Sequence, residues 1–373
     1  MQYCVVRMKN IPVFNRRLLV AGFSYLIAGQ FCIGTVNLLI LPLAAFLINL
    51  TAHMAALKFF PRLGLLDFPE RYGLTRARIP YPTGMLSAAT FLGLYPTIFL
   101  IGTHEWGVIL AIILLGAVAF IDDRSPLPFS LRLSVQILIA LLVFVAGSRI
   151  YTLTGPFGGY LKLDTLLLHL PLVGSLPVMS GIFTVLWLLL TINALNWFDG
   201  IPGQVSVLSA IGFLLLGCLT LLRAHQPQIA LFCFVLAGIA LAAVLFDFPP
   251  ARMLMGDSGS MFFGLMLGLI GIYQGGKVAT AFLVLGIPLI DAVFVVMRRL
   301  HRGSSPFKGG RDHLHHLLLQ KGWSQRQVVV FTALVSAVFG TTALFLTTVG
   351  KAVEIAVLIV VMIIIHRYAD AKR

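Results

Sequence analysis

Continuous apolar runs of membrane length recur along this chain from Leu18 onward, with charged residues and prolines gathered in the stretches between them. The runs show no inside-outside alternation, so they predict membrane helices rather than the strands of a transmembrane barrel. Leu18–Leu57 contains no charged residue apart from His53 and is long enough for two spans, with a turn near Gly34-Thr35. Further spans are expected at 86–101, 108–121, 131–147, 177–195, 203–222, 229–246, 259–273, 279–297, 327–348 and 352–366. The prediction is an all-α, polytopic helical membrane protein of about 11–12 transmembrane helices, a single integral membrane domain over 1–373. Basic Met1–Arg17 and the first apolar run read as an uncleaved first span rather than a signal peptide, because no clean small-residue cleavage site follows.

Composition agrees with this picture. Hydrophobic residues make up 59% and charged residues only 11%, with a mean hydropathy of +0.98, against about 25% charged residues in soluble domains. The net charge of +14 would suit nucleic acid in a soluble protein; in a membrane protein it first reports topology. Threading the spans with the N-terminus inside places 22 of the 27 Lys and Arg residues on the inner side. Both termini and the loops 58–85 and 298–326 are therefore expected to be cytoplasmic, with 147–179 the longest extracytoplasmic segment. The Gly/Thr/Tyr-rich start of that segment, Tyr151–Leu163, suits a small hairpin. Four scattered cysteines, with no CxxC spacing, suggest neither a disulfide framework nor a cysteine-based metal site.

Candidate chemistry lies at the inner ends of the spans. The apolar run from Gly181 to Ile192 turns polar in one step, at Asn193-Ala-Leu-Asn196-Trp-Phe-Asp199-Gly200, which puts two amides and a carboxylate on one side of a helix end. Asp122-Asp123 ends another span; two carboxylates so close repel unless a cation attends them. Met255-Gly256-Asp257-Ser258-Gly259-Ser260 opens a third, where free N–H groups suit phosphate and Asp257 can hold a metal. Asp247 and Asp291 lie at or near the same side. Each acid alone could be a helix cap or a partner for a loop arginine; their convergence from distant spans favours a shared site. The loop 298–326 brings Lys308, Arg311, His313, His315 and His316 to its rim. The spacing does not suit zinc, and the cluster better fits a diphosphate. Arg71, Arg76 and Arg78 could add phosphate contacts or serve only as positive-inside charges.

Together these motifs resemble the polyprenyl-phosphate N-acetylhexosamine-1-phosphate transferases over about Asp67 to Val330, nearest in its Ser305-Pro306-Phe307 and His313-Leu314-His315-His316 loop to the undecaprenyl-phosphate N-acetylglucosamine-1-phosphate branch. The resemblance implies transfer of a HexNAc-1-phosphate from a UDP-sugar to polyprenyl phosphate, with release of UMP and with Mg²⁺ (or Mn²⁺) as cofactor. It implies a metal site at Asp257, catalytic roles for Asp122 and Asp123, and substrate binding by Asn193, Asn196, Asp199, Arg311, His313, His315 and His316. Expected partners are the lipid phosphate, the UDP-sugar and the bilayer, with no nucleic acid and with a homodimer left open. The expected location is the inner (cytoplasmic) membrane with the site on its cytoplasmic face. Four positions depart from the family pattern: Pro202 replaces a second acid, Gly310 an Asp, Leu254 an aromatic residue, and Thr83-Gly84-Met85 a double glycine. These leave the sugar and part of nucleotide recognition open. A transporter with an ion site, or a family member that binds without turnover, are the alternative readings.

Overall fold

The structure is a computed structural model that describes residues 37–72, 75–155, 159–170, 174–275, 278–305, 310 and 312–370. Most of the first expected span, and Arg311, lie outside the described residues. The described chain is a helical bundle: α1 (Asn37–Phe59), α2 (Gly84–Ile98), α3 (Thr103–Arg124), α4 (Phe129–Ala146), α5 (Val178–Phe198), α6 (Gln204–Leu222), α7 (Pro227–Asp247), α8 (Asp257–Tyr273), α9 (Val278–Val284), α10 (Gly286–His301), α11 (Leu314–Gln320), α12 (Gln325–Ala343) and α13 (Thr348–Asp370). Eight of these are long and apolar enough to cross a membrane, α9 and α10 make a ninth as a bent pair, and α2 and α8 are shorter apolar helices. It is a multi-pass membrane protein.

Helix α8 is the axis. Every residue from Ser258 to Ile272 is buried, as an all-round apolar sequence requires of a helix without a lipid-facing side. Small residues let α5 come close: a Cβ on Gly264 would lie 2.8 Å from the Ile192 backbone, and one on Gly268 would lie 2.5 Å from Thr191 Oγ1. Trp187 Nε1 donates to the Gly268 carbonyl at 3.0 Å across the same seam. Without a hydrophobic drive between helices in lipid, close packing and such bonds carry the association. Helix α3 packs on α8, α4 packs on α3 and α5, and both α3 and α4 turn many of their other residues, Leu114, Ile121, Leu131 and Leu138 among them, outward.

One expected span is not a single helix. The run 279–297 breaks at Leu285, where α9 and α10 meet at 86°. Pro288 lacks an N–H, and in a continuous helix its ring would strike the Val284 carbonyl, so the helix restarts just before it. The expected hairpin forms as β1 (Thr152–Thr154) against β2 (Tyr160–Lys162). A second hairpin, β3 (Leu167–Leu170) against β4 (Gly174–Pro177), follows it and runs directly into α5.

Candidate active site

The ends of α3, α5 and α8 meet, and the two adjacent acids of α3 divide their tasks. Asp123 serves α8. Its Oδ1 accepts from the Asp257 N–H at 2.7 Å and from the Tyr81 hydroxyl at 2.5 Å, and its Oδ2 accepts from the Ser258 N–H at 3.0 Å. Helix α8 has no side-chain cap of its own because its N-cap is Gly256, held at φ +77°. Asp123 therefore supplies from another helix the acceptor that a Ser or Asp N-cap supplies locally. A side chain at Gly256 would also collide with Asp123 Oδ1, at 2.8 Å from its Cβ.

Asp122, one residue earlier, faces α4. Its Oδ1 accepts from the Leu127 N–H at 2.6 Å and its Oδ2 from Arg132 Nη1 at 2.7 Å. The same Arg132 nitrogen lies 3.4 Å from Asp257 Oδ2. One guanidinium thus bridges the carboxylates of Asp122 and Asp257, which come from different helices. Leu115, Val118, Ala119, Val135, Gln136 and Met261 line a small, mostly apolar recess of about 10 Å³ that ends on Asp122 and Arg132. Sequence reasoning missed Arg132 as a site residue, although one signal was available. A cation in the first turn of α4 opposes the helix dipole and needs a nearby anion.

The loop between α1 and α2 is sewn to the Asp257 turn. Leu254 N–H donates to Pro80 O, Thr83 N–H to Leu254 O, and Gly84 N–H to Met255 O, at 3.0, 2.9 and 2.9 Å. Gly84 lies against Gly259 so tightly that a Cβ on it would lie 2.1 Å from the Gly259 Cα. In that loop Arg76 pairs with Asp67 at 2.5 Å and Arg78 with Glu70 at 3.1 Å. These arginines are held within the loop, which accounts for them without phosphate.

The polar end of α5 is split. Asn196 Nδ2 donates to Ser260 Oγ at 3.2 Å, in the first turn of α8. Asn193, a turn earlier, points to α4, where its amide donates to Gln136 Oε1 at 2.7 Å and to the Leu189 carbonyl. Asp199 ends the helix half-buried. Withdrawal from water, with the like charges of Asp247, Asp257 and Asp123 nearby, pushes its carboxyl well above the usual carboxylate range. Asp247 is spent on the Gly203 N–H and the Ser206 hydroxyl, both at 2.9 Å.

The histidine loop closes over this end of α5. His313 stands 6.1 Å from the Trp197 ring and is parallel to His315 at 5.8 Å, while His316 lies 4.2 Å from His315. His315 packs edge-on to Phe198 and directly over Gly200, where a Cβ would lie 1.9 Å from its Nε2. Both of its ring nitrogens are buried without a hydrogen-bond partner among the described residues. Burial, with His316 beside it, pushes its pKa down to about 3. The folded state then refuses a proton that the unfolded chain accepts near 6.5. Stability is expected to be unaffected by this group above pH 6.5 and to fall as pH drops toward 3. Thermal unfolding of His315→Phe in detergent at several pH values checks this: the variant should lose less stability on acidification than the parent chain.

The donor set fits a divalent ion. Asp122 holds Arg132 at 2.7 Å, which leaves Asp257 only the longer 3.4 Å contact to the same guanidinium, and Asp199 lies among other acids. Among the described residues no three His, Cys, Asp or Glu side chains converge into a closed metal shell. Mg²⁺ needs none, since it keeps waters and takes substrate phosphates beside one or two carboxylates.

Comparison with known proteins matches residues 105–275 to the model of glycosyl transferase family 4. The chain is 28% identical to an undecaprenyl-phosphate alpha-N-acetylglucosaminyl 1-phosphate transferase of Yersinia pestis, over 78% of this chain and 80% of that protein. It is 29% identical to the protein of the same description from Salmonella typhi, over 81% and 82%. A probable undecaprenyl-phosphate N-acetylglucosaminyl 1-phosphate transferase of Bacillus subtilis is 24% identical over 83% and 85%.

Proposed function

We propose, for a chain that belongs to glycosyl transferase family 4, that it transfers N-acetylglucosamine-1-phosphate from UDP-N-acetylglucosamine to undecaprenyl phosphate. An oxygen of the lipid phosphate attacks the β-phosphorus of the UDP-sugar. The bond from that phosphorus to the bridging oxygen breaks, and UMP departs with the electron pair. The observation that carries this reading is the Arg132 bridge between Asp122 and Asp257 at the end of a small apolar recess. The recess has room for about one water, so it marks an apolar wall beside which a prenyl tail would lie, and the lipid's phosphate needs a cation beside the carboxylate proposed to bind the metal.

Each residue has a place in the step. Arg132 swings from the carboxylates to the lipid phosphate and brings it against Asp257. Asp122 holds Arg132 in place before the lipid arrives and keeps the Leu127 N–H bond once Arg132 has moved. Asp123 holds the start of α8 rigid, so that the Asp257 carboxylate and the helix N-terminus face one point. Asn196 and Asp199 at the end of α5, with His313, His315 and His316 above them, face the UDP-sugar, and Arg311 belongs to the same loop. Asn193 supports this helix end from one turn below, through Gln136. Asp257, with Asp122 or Asp199 beside it, would hold Mg²⁺ (or Mn²⁺), which neutralises diphosphate charge when bound. The distribution of Lys and Arg supports a site on the cytoplasmic face of the inner membrane.

The test offers purified protein a panel of UDP-sugars with undecaprenyl phosphate and Mg²⁺, scored by UMP release and the mass of the lipid product. A lipid product carrying HexNAc-diphosphate is expected; its absence with every sugar would sink the proposal. Arg132→Ala is expected to raise KM for undecaprenyl phosphate about 10- to 100-fold, the worth of a charged hydrogen bond. KM for the UDP-sugar should move far less. An unchanged lipid KM would remove Arg132 from the phosphate site.

A further inference from the structure

Asp291 on α10 is a buried carboxylate that the proposed reaction does not use, at 1% exposure. Three groups from two other helices surround it. Its Oδ2 accepts from His313 Nδ1 at 2.8 Å, and its Oδ1 accepts from the Leu314 N–H at 2.9 Å. His366 Nε2, on α13, lies 3.1 Å from the same Oδ1, close enough for an ion pair but without hydrogen-bond geometry. An ionised carboxylate only accepts, so His313 carries its proton on Nδ1. Nε2 is then the ring nitrogen left for a substrate. The Leu314 bond also caps α11, which has no side-chain cap of its own.

Helix α13 lies beyond both the family match and the motif resemblance, yet it is fastened to this point. Leu358 fills the space over Gly286, where a Cβ would come within 2.2 Å of it. Phe294 meets the His366 ring at 5.1 Å, and Arg298 pairs with Asp370 at 3.4 Å. We propose that Asp291, backed by His366 of the final helix, is a positioning residue that fixes the Nδ1–H tautomer of His313 and aims its Nε2 at the donor substrate. This rests on the transferase reading for what His313 touches. The carboxylate–histidine arrangement itself stands on geometry alone. An outer partner of this kind is worth about 10- to 100-fold in activity.

The experiment pairs kinetics with the ¹⁵N spectrum of histidine-labelled protein in nanodiscs, His313 being assigned by difference with His313→Gln. Asp291→Asn is expected to lower kcat about 10- to 100-fold with the UDP-sugar KM little changed. The His313 signal should leave the Nδ1–H position, because the Asn amide can donate to Nδ1. His366→Phe should lower kcat in the same direction, and His366→Gln, which puts a polar amide back beside Oδ1, should recover most of it. Retention of kcat and of the Nδ1–H signal in Asp291→Asn would overturn the proposal. So would loss of melting temperature and activity together with an unmoved His313 signal, since Asp291 would then be only a cap. If Asp291→Asn does not fold, the His366 pair decides by whether Gln rescues what Phe loses. If the parent chain releases no UMP, the transferase reading fails while the ¹⁵N signal still tests the tautomer.

Discussion

Asp257→Asn is expected to lower UMP release about a thousandfold, the upper range for removing one group that stabilises developing charge. The same variant should keep, or raise, the melting temperature. Asp257 opens α8 among Asp122, Asp123 and Asp199, and among the described residues its one cationic contact is Arg132 at 3.4 Å. Neutralising it relieves like-charge repulsion and leaves the cap from Asp123 to the Asp257 N–H intact, because that bond uses the backbone. Loss of activity with a gain in stability marks a residue kept for chemistry rather than for folding. UMP release at saturating substrates and thermal unfolding in detergent check both halves. Near-parental turnover would remove Asp257 from the metal and phosphate site. Asp123→Ala should behave in the opposite way and lose both properties, since it takes away the acceptor for two N–H groups at the start of α8.

The second large effect is expected from a residue with no chemistry. Gly84→Ala should cost about 3 kcal/mol of stability, the upper end for overpacking, and should abolish transfer. Its Cβ would sit 2.1 Å from the Gly259 Cα and 2.2 Å from the Gly259 nitrogen. These are backbone atoms of a buried helix, so no rotamer change makes room. The loop from Pro80 to Gly84 would have to leave Leu254 and Met255, and the Asp257 turn would lose that support. Melting temperature and UMP release in the purified variant measure this. A parental melting curve would show that the crossing of α2 and α8 has slack.

These two residues also show what could be read along the chain and what could not. Asp257 was legible because Gly and Ser around an acid at the start of an apolar run make a distinctive turn. Its meeting with Asp122-Asp123 was legible because all three end spans on the expected inner side. The division between the paired acids was not. Adjacent side chains on a helix point about 100° apart, and which of them meets α8 depends on how α3 crosses it. Arg132 and Gln136 were hidden for the same reason, as ordinary residues in the first two turns of α4. Arg76 and Arg78 looked available for phosphate because their partners, Asp67 and Glu70, lie eight or nine residues away in a loop without periodicity. The bend at Leu285 was legible only in Pro288, whose effect depends on whether the chain restarts or kinks.

The apolar recess that ends on Arg132 has one more consequence. It is walled by α3, α4 and Met261 of α8, and α3 and α4 carry exposed apolar residues on their other faces. Under the transferase reading the acceptor would come to the site along these helices from the leaflet. Turnover should therefore follow surface-dilution behaviour. Diluting undecaprenyl phosphate with inert phospholipid at constant molarity should slow the enzyme, while adding buffer at constant mole fraction should not.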